Sequence, residues 1–142
     1  MSSQSGSNSS GEHFSVPSKI SEIGPAVERI SEMFKNAGCA SEQLSDVEIA
    51  TFEALGNAMI HGNARNPNKR VHISCRCEPG KHISIVVRDE GNGFDPDRVP
   101  DPTSAENLEA EHGRGILLMK TFMDDVHYEA GGTEVHMSKK LP

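Results

Sequence analysis

The amino-acid pattern points to an α+β architecture, a two-layer sandwich with helices on one face of a sheet. Three observations carry it. Two stretches repeat apolar residues every three or four positions, two pairs of short alternating runs are joined by Gly-containing turns, and a non-periodic Gly-, Pro- and acid-rich segment separates those pairs. The length of 142 residues suits a single domain large enough to bury a core.

Taken in chain order, residues 1–12 (MSSQSGSNSSGE) lack periodicity and read as a disordered Ser-rich tail, leaving 13–142 as the domain. Phe14-Ser15-Val16 makes a short strand stopped by Pro17. From Ile20 to Ala37 the spacing of Ile20, Ile23, Val27, Ile30, Met33 and Phe34 predicts an amphipathic helix, interrupted early by Gly24-Pro25 and ended at Gly38. Its apolar stripe suits the core or a dimer contact. A second helix starts under a cap from Ser41 or Ser45, carries Asp46 and Glu48 in its first turn, and runs to about His61, where Gly62-Asn63 offers a left-handed stop. Strands over 70–77 and 82–88 form a hairpin through Glu78-Pro79-Gly80-Lys81. Residues 91–115 read as a functional loop. A helix over 116–123 and strands over 125–128 and 133–138, turning at Gly131-Gly132, complete the chain, and no internal repeat is present.

Charge and composition limit the function. Lys and Arg number 14 against 21 Asp and Glu, a formal charge of −7, with 4% aromatics and no Trp. No broad basic face for a duplex or an anionic membrane is expected, and no stacking platform for single strands. Nothing reaches the length of a transmembrane helix or follows a signal-peptide pattern, so a cytoplasmic location is expected. Cys39, Cys75 and Cys77 make an odd count without a paired framework, which suits a reducing compartment. Cys75 and Cys77 alternate with Val71 and Ile73 on one strand face. Without a second Cys pair they read as core side chains rather than half a zinc site.

Three constellations carry chemistry. Glu53, Asn57 and His61 are four apart, so they share one stripe of the second helix, among Ile49, Ala50, Ala54, Ala58 and Ile60. Polar groups on an apolar stripe need partners or a ligand, although a solvated polar edge remains an alternative. Asp89-Glu90-Gly91-Asn92-Gly93 follows the apolar strand Ile83–Val87, and alternation turns Asp89 to the core side. A carboxylate there can accept a hydrogen bond from an exocyclic amine, and the glycines let a flat base approach the backbone. An ordinary turn is the alternative; a calcium loop fails, because Gly91 and Pro100 stand where acids are needed. Third, Gly113-Arg114-Gly115 precedes the third helix, and exposed N–H groups at such a helix start make an anion seat. The spacing matches neither a dinucleotide fingerprint nor a P-loop.

The order E-x-x-x-N, D-x-G-x-G after a strand, G-x-G before a helix and then Gly132-Thr133 resembles the four-box pattern of the GHKL (Bergerat-fold) ATPases, and most closely the bacterial anti-sigma factor serine/threonine kinases. The likeness spans nearly everything from Phe14 onward, including Glu53–His61, Asp89–Phe94, Gly113–Met119 and Phe122–Val126. It implies ATP and Mg²⁺ as cofactors, with a mostly antiparallel mixed sheet, one helical face and an ATP lid. It assigns Glu53 to orienting or deprotonating the attacking hydroxyl, Asn57 to Mg²⁺, Asp89 to the adenine amine and Thr133 to a water-mediated contact beside it. Gly91, Gly93, Gly113 and Gly115 would shape the pocket and lid hinges, and Arg114 and His61 would lie toward the phosphates.

The same resemblance implies a STAS-domain anti-anti-sigma protein and a sigma factor as partners, a homodimer, and phosphorylation of a partner Ser or Thr. Active members commonly carry an Arg just ahead of the glycine pair, where this chain reads Glu109-Ala110-Glu111-His112; Arg114 lies between the glycines and Arg98 far upstream. Two functions are therefore weighed: a serine/threonine kinase that switches partners, and a nucleotide-gated binding module with little catalysis. The catalytic part of a histidine kinase is disfavoured, since only one helix precedes the Glu53 helix and no phosphoacceptor hairpin fits.

Overall fold

The computed structural model describes residues 10–93 and 107–142, with the side chains of its last helix described from Gly113 onward. Five strands form one sheet in the order β1-β2-β3-β5-β4: β1 (Ser10–Pro17), β2 (Arg70–Glu78), β3 (His82–Arg88), β4 (Asp125–Glu129) and β5 (Glu134–Lys140). All four pairings are antiparallel, a simpler arrangement than the mixed sheet expected. Alternation explains the layers. Val71, Ile73, Cys75 and Cys77 of β2, Ile83, Ile85 and Val87 of β3, and Val135 and Met137 of β5 are all buried, while their alternate neighbours face away.

Three helices contribute the other half of the core: α1 (Ile23–Asn36), α2 (Leu44–Asn57) and α3 (Asn107–Phe122). The stripe of α1 turns inward, with Ile23, Ile30 and Phe34 buried and Val27 packed at the margin, so it serves the core. A short 3-10 turn over Ile20–Glu22 replaces the helix's expected first turn. Pro25 then falls in the opening turn of α1, where a missing N–H breaks no ladder bond. Gly38 ends the segment with a positive φ of 88°. Among the described residues no helix is long and apolar enough to cross a membrane.

Several expectations are corrected. β1 begins at Ser10, paired to Cys77, so residues 10–12 belong to the sheet rather than to the tail; residues 1–9 lie outside the described residues. Neither Ser41 nor Ser45 caps α2. Gln43 occupies the cap without a side-chain bond, and Ser41 Oγ instead accepts the Gln43 N–H at 3.2 Å. Gly62-Asn63 is not the left-handed stop either: Asn63 has φ −90°, and the positive φ values fall on Ala64 (51°) and Arg65 (60°). Cys39 and Cys77 are joined in a disulfide with Cα atoms 6.2 Å apart, leaving Cys75 as the buried free thiol. The Gly38 turn brings Cys39 beneath β2, a proximity that residue counting does not reveal.

The largest revision concerns α3. It begins at Asn107, so Gly113 and Gly115 lie inside a helix and do not precede one. The run Leu108-Glu109-Ala110-Glu111 consists of strong helix formers that carry the helix across both glycines. The anion seat expected at a helix start beside Gly115 is therefore absent there. Residues 94–106 of the expected lid, with Phe94 and Arg98, lie outside the described residues, as do the side chains of Glu109–His112.

Candidate functional site

The site begins where α2 loses its regular pitch. After Asn57 the chain continues as a single π-helical turn, Ala58–Gly62, in which the Asn63 N–H reaches back five residues to the Ala58 carbonyl (2.8 Å). Such widened turns often occur where a helix presents side chains to a site. This one aims Asn57 and His61 at the mouth of a cleft between α2 and the β3–β5 end of the sheet.

Asn63, fully buried, fastens the turn to its surroundings. Its Nδ2 donates to Ser18 Oγ (2.7 Å) and to the Arg70 carbonyl (2.9 Å), and its Oδ1 accepts the Glu90 N–H (2.7 Å). Glu90 in turn accepts the Arg70 N–H (3.0 Å) and pairs with His72 (2.7 Å). Those donors hold the Glu90 carboxyl below its ordinary range. One buried amide thus ties α2, β2 and the Asp89 loop together. Its backbone needs no special dihedral and it belongs to no motif, so sequence reasoning missed this role.

Asp89 sits just past β3, buried, with its backbone N–H donating to the Thr133 carbonyl (2.9 Å) and its Oδ1 accepting the Gly91 N–H (2.8 Å). Desolvation raises its pKa above the ordinary Asp value, and the Gly91 bond opposes the rise. Close packing accounts for the glycines. A Cβ on Gly62 would strike the Asp89 carboxylate, one on Gly91 the Gly62 carbonyl, and one on Gly93 (φ 83°) the Gly131 carbonyl.

These residues line a cavity of about 130 Å³, bounded by Ala54 of α2 and Ala58 of the widened turn, by Val87 and Asp89, and by Tyr128, Thr133 and Val135 across the sheet. Its walls are apolar and its polar groups few, as in pockets that take flat aromatic ligands. Asn57 and His61 also line a second cavity, shared with Glu53, Arg114, Phe52, Ile60 and Leu118. Asn57 and His61 therefore belong to the walls of both cavities. The structure brings together Asp89, Gly93 and Thr133 in the first, Glu53 and Arg114 in the second, and Asn57 and His61 in both. Gly91 shapes the loop beside Gly62, and Gly113 is buried inside α3, with neither lining these two cavities.

Two details point to an incomplete set of partners around Asn57. Its Nδ2 is a buried donor without a hydrogen-bond partner among the described residues. A Cβ on Gly115 would lie 2.7 Å from the same atom, so the glycine lets α3 approach the Asn57 amide. Tyr128 was not anticipated from sequence. It half-buries its ring in the first cavity, where burial and the Asp89 carboxylate both push its hydroxyl pKa up. As the single Tyr of the chain, on the inward face of β4 beside Val126, it was detectable only through alternation.

Residues 16–139 match the family model described as the histidine kinase-like ATPase domain. The chain belongs to this family. Among similar proteins, the anti-sigma F factor of Bacillus cytotoxicus is 36% identical over 105 residues, covering 70% of this chain and 71% of that protein. The anti-sigma F factor of Clostridium novyi is 37% identical over 106 residues, covering 70% and 73%. The solved structure of the RsbU and RsbW domains of a Mycobacterium tuberculosis protein superposes with a TM-score of 0.63 at 13% identity, over 92% of this chain and 32% of that one. The histidine kinase domain of a blue-light activated kinase from Erythrobacter litoralis gives 0.51 at 16% identity, over 84% and 60%. These two likenesses establish the shared fold, and the GHKL resemblance read from the four motifs stands.

Proposed function

We propose that this chain is an ATP-binding regulator of the anti-sigma type that phosphorylates a Ser or Thr on a STAS-type antagonist and, alternately, sequesters a sigma factor. The observation that carries the reading is that two cavities, one lined by Asp89 and Thr133 and one by Glu53 and Arg114, share Asn57 and His61 in their walls. The first suits adenine, with the Asp89 carboxylate accepting from its amine and Thr133 close by; the other suits the phosphates, with Glu53 and Arg114. The names of the relatives support the regulatory half of the proposal.

Asn57 fits a bound Mg²⁺–phosphate group. Its side chain is half-buried against Gly115 and its buried Nδ2 lacks a partner among the described residues, so an amide oxygen for the metal and an N–H for a phosphate or water oxygen are both at hand. Mg²⁺, when bound, supplies neutralisation of the phosphate charge. In the transfer, the partner's hydroxyl oxygen forms a bond to the γ-phosphorus, the bond from that phosphorus to the β–γ bridging oxygen breaks, and ADP departs. Glu53 receives the hydroxyl proton, and Arg114 faces the charge that develops.

An apolar rim surrounds the Glu53 cavity: Ile20 is 51% exposed, Phe52 50% and Leu118 38%. Such a rim suits a protein surface delivering its hydroxyl better than it suits a small polar substrate. The homodimer belongs to the same reading. The absence of Arg from residues 109–112 favours a second function, a nucleotide-gated binding module whose output is partner exchange.

Incubation with labelled ATP, Mg²⁺ and STAS proteins from the same genome separates the two. Transfer of label to a Ser or Thr supports the kinase; nucleotide-dependent complex formation without transfer supports the module. Glu53→Gln is expected to keep the ATP-induced rise in Tm and to lose transfer. Retention of both would remove Glu53 from the role of base.

A further inference from the structure

On the outer face of the sheet, away from the helices, β4 and β5 place four chemically active side chains in two facing pairs. His127 lies opposite His136, and Glu129 opposite Glu134. Two carboxylates directly opposite each other on a strand pair repel, so this arrangement calls for a positive partner. The two imidazoles stack with centroids 5.0 Å apart and planes 12° from parallel. His127 Nε2 lies 2.8 Å from Glu129 Oε2; His136 Nε2 lies 3.0 Å from Glu134 Oε1 and 3.7 Å from Glu129 Oε2. Donor atoms of His127, Glu129 and His136 all fall within 4.8 Å of one another. Asp125 Oδ2 holds Nδ1 of His127 at 2.9 Å.

We propose that His127, Glu129 and His136 form a site for a late first-row divalent ion, Zn²⁺ in the first instance, with Glu134 or water as the fourth ligand. Two imidazoles and carboxylate oxygen suit Zn²⁺ and its neighbours, whereas Mg²⁺ and Ca²⁺ prefer oxygen alone. A carboxylate on the far nitrogen of a ligating His fixes the ring and its tautomer, the position Asp125 occupies. The ion would join β4 to β5 on either side of Ala130–Thr133, the turn whose Gly132 and Thr133 line the first cavity. It is separate from the Mg²⁺ position proposed at Asn57.

The test titrates Zn²⁺ into metal-free, nucleotide-free full-length protein by calorimetry, so its result is independent of the ATP reading. Uptake of one equivalent is expected, weakened by more than about 100-fold in His127→Ala/His136→Ala and about tenfold in Asp125→Asn. The imidazole resonances of His127 and His136 should move together in NMR spectra. Circular dichroism checks that the substitutions, all on an open sheet face, leave the fold intact. Failure of the wild type to bind Zn²⁺ more tightly than roughly 1 mM overturns the site, as does unchanged uptake by the double variant, which would place the ion elsewhere.

Discussion

In the proposed site, Asp89 is the residue on which recognition of the base would depend. An ionised carboxylate accepts from an exocyclic amine and a protonated one does not, so binding requires the charged form. Burial raises the pKa of this group. Nucleotide affinity is therefore present above that raised value and lost as pH falls through it, and the loss begins at a higher pH than an ordinary Asp would give. Fluorescence titration of an ATP analogue across mildly acidic pH reads this directly. Asp89→Asn should remove the ATP-induced rise in Tm and weaken binding by about 2 kcal/mol, roughly thirtyfold in Kd; an unchanged shift would displace Asp89 from the pocket. Glu53, Asn57, Asp89, Gly93 and Thr133 were legible in the sequence because their spacing belongs to motifs whose chemistry needs those residue types. Asn63 and Tyr128 were not, since their contacts reach 45 residues back to Ser18 and across the sheet.

Among the elements, strands and helices followed their periodicities, and their ends followed packing. The start of α3 shows why. Gly113 and Gly115 carry the composition of a helix boundary, yet the helix continues through them, and Gly115 is explained by a neighbour, the Asn57 amide. Helix propensity alone would make Gly115→Ala stabilising by about 1 kcal/mol. The added methyl would instead lie 2.7 Å from Asn57 Nδ2 and displace that side chain. The expected result is unchanged helicity by circular dichroism with a smaller ATP-induced rise in Tm. Retention of the full rise would show that Asn57 does not need its present position.

For the molecule as a whole, the charge of −7 would meet a polyanion in the proposed ATP, and the proposed site would answer it locally with Arg114 and a Mg²⁺ held at Asn57. The Cys39–Cys77 link closes a loop across 38 positions that contains α2 with Glu53, Asn57 and His61. On chain-entropy grounds a loop of that size contributes about 4 kcal/mol. Reduction, or Cys39→Ser, should lower the denaturation midpoint accordingly; an equal midpoint with and without reductant would show the thiols unlinked. The widened turn at Ala58–Gly62 also restricts how the length of this chain can vary. Each helical residue advances the direction of the next side chain by about 100°, and Asn63 is anchored on three sides. Losing one residue between Asn57 and Asn63 would restore regular α-pitch and swing either Asn57 or His61 away from the cleft. By contrast, the exposed hairpin tip at Gly80 and Lys81 supports neither cavity and can absorb an insertion. Family members that share this site are thus expected to conserve the number of residues from Asn57 to Asp89 more strictly outside that tip than within it.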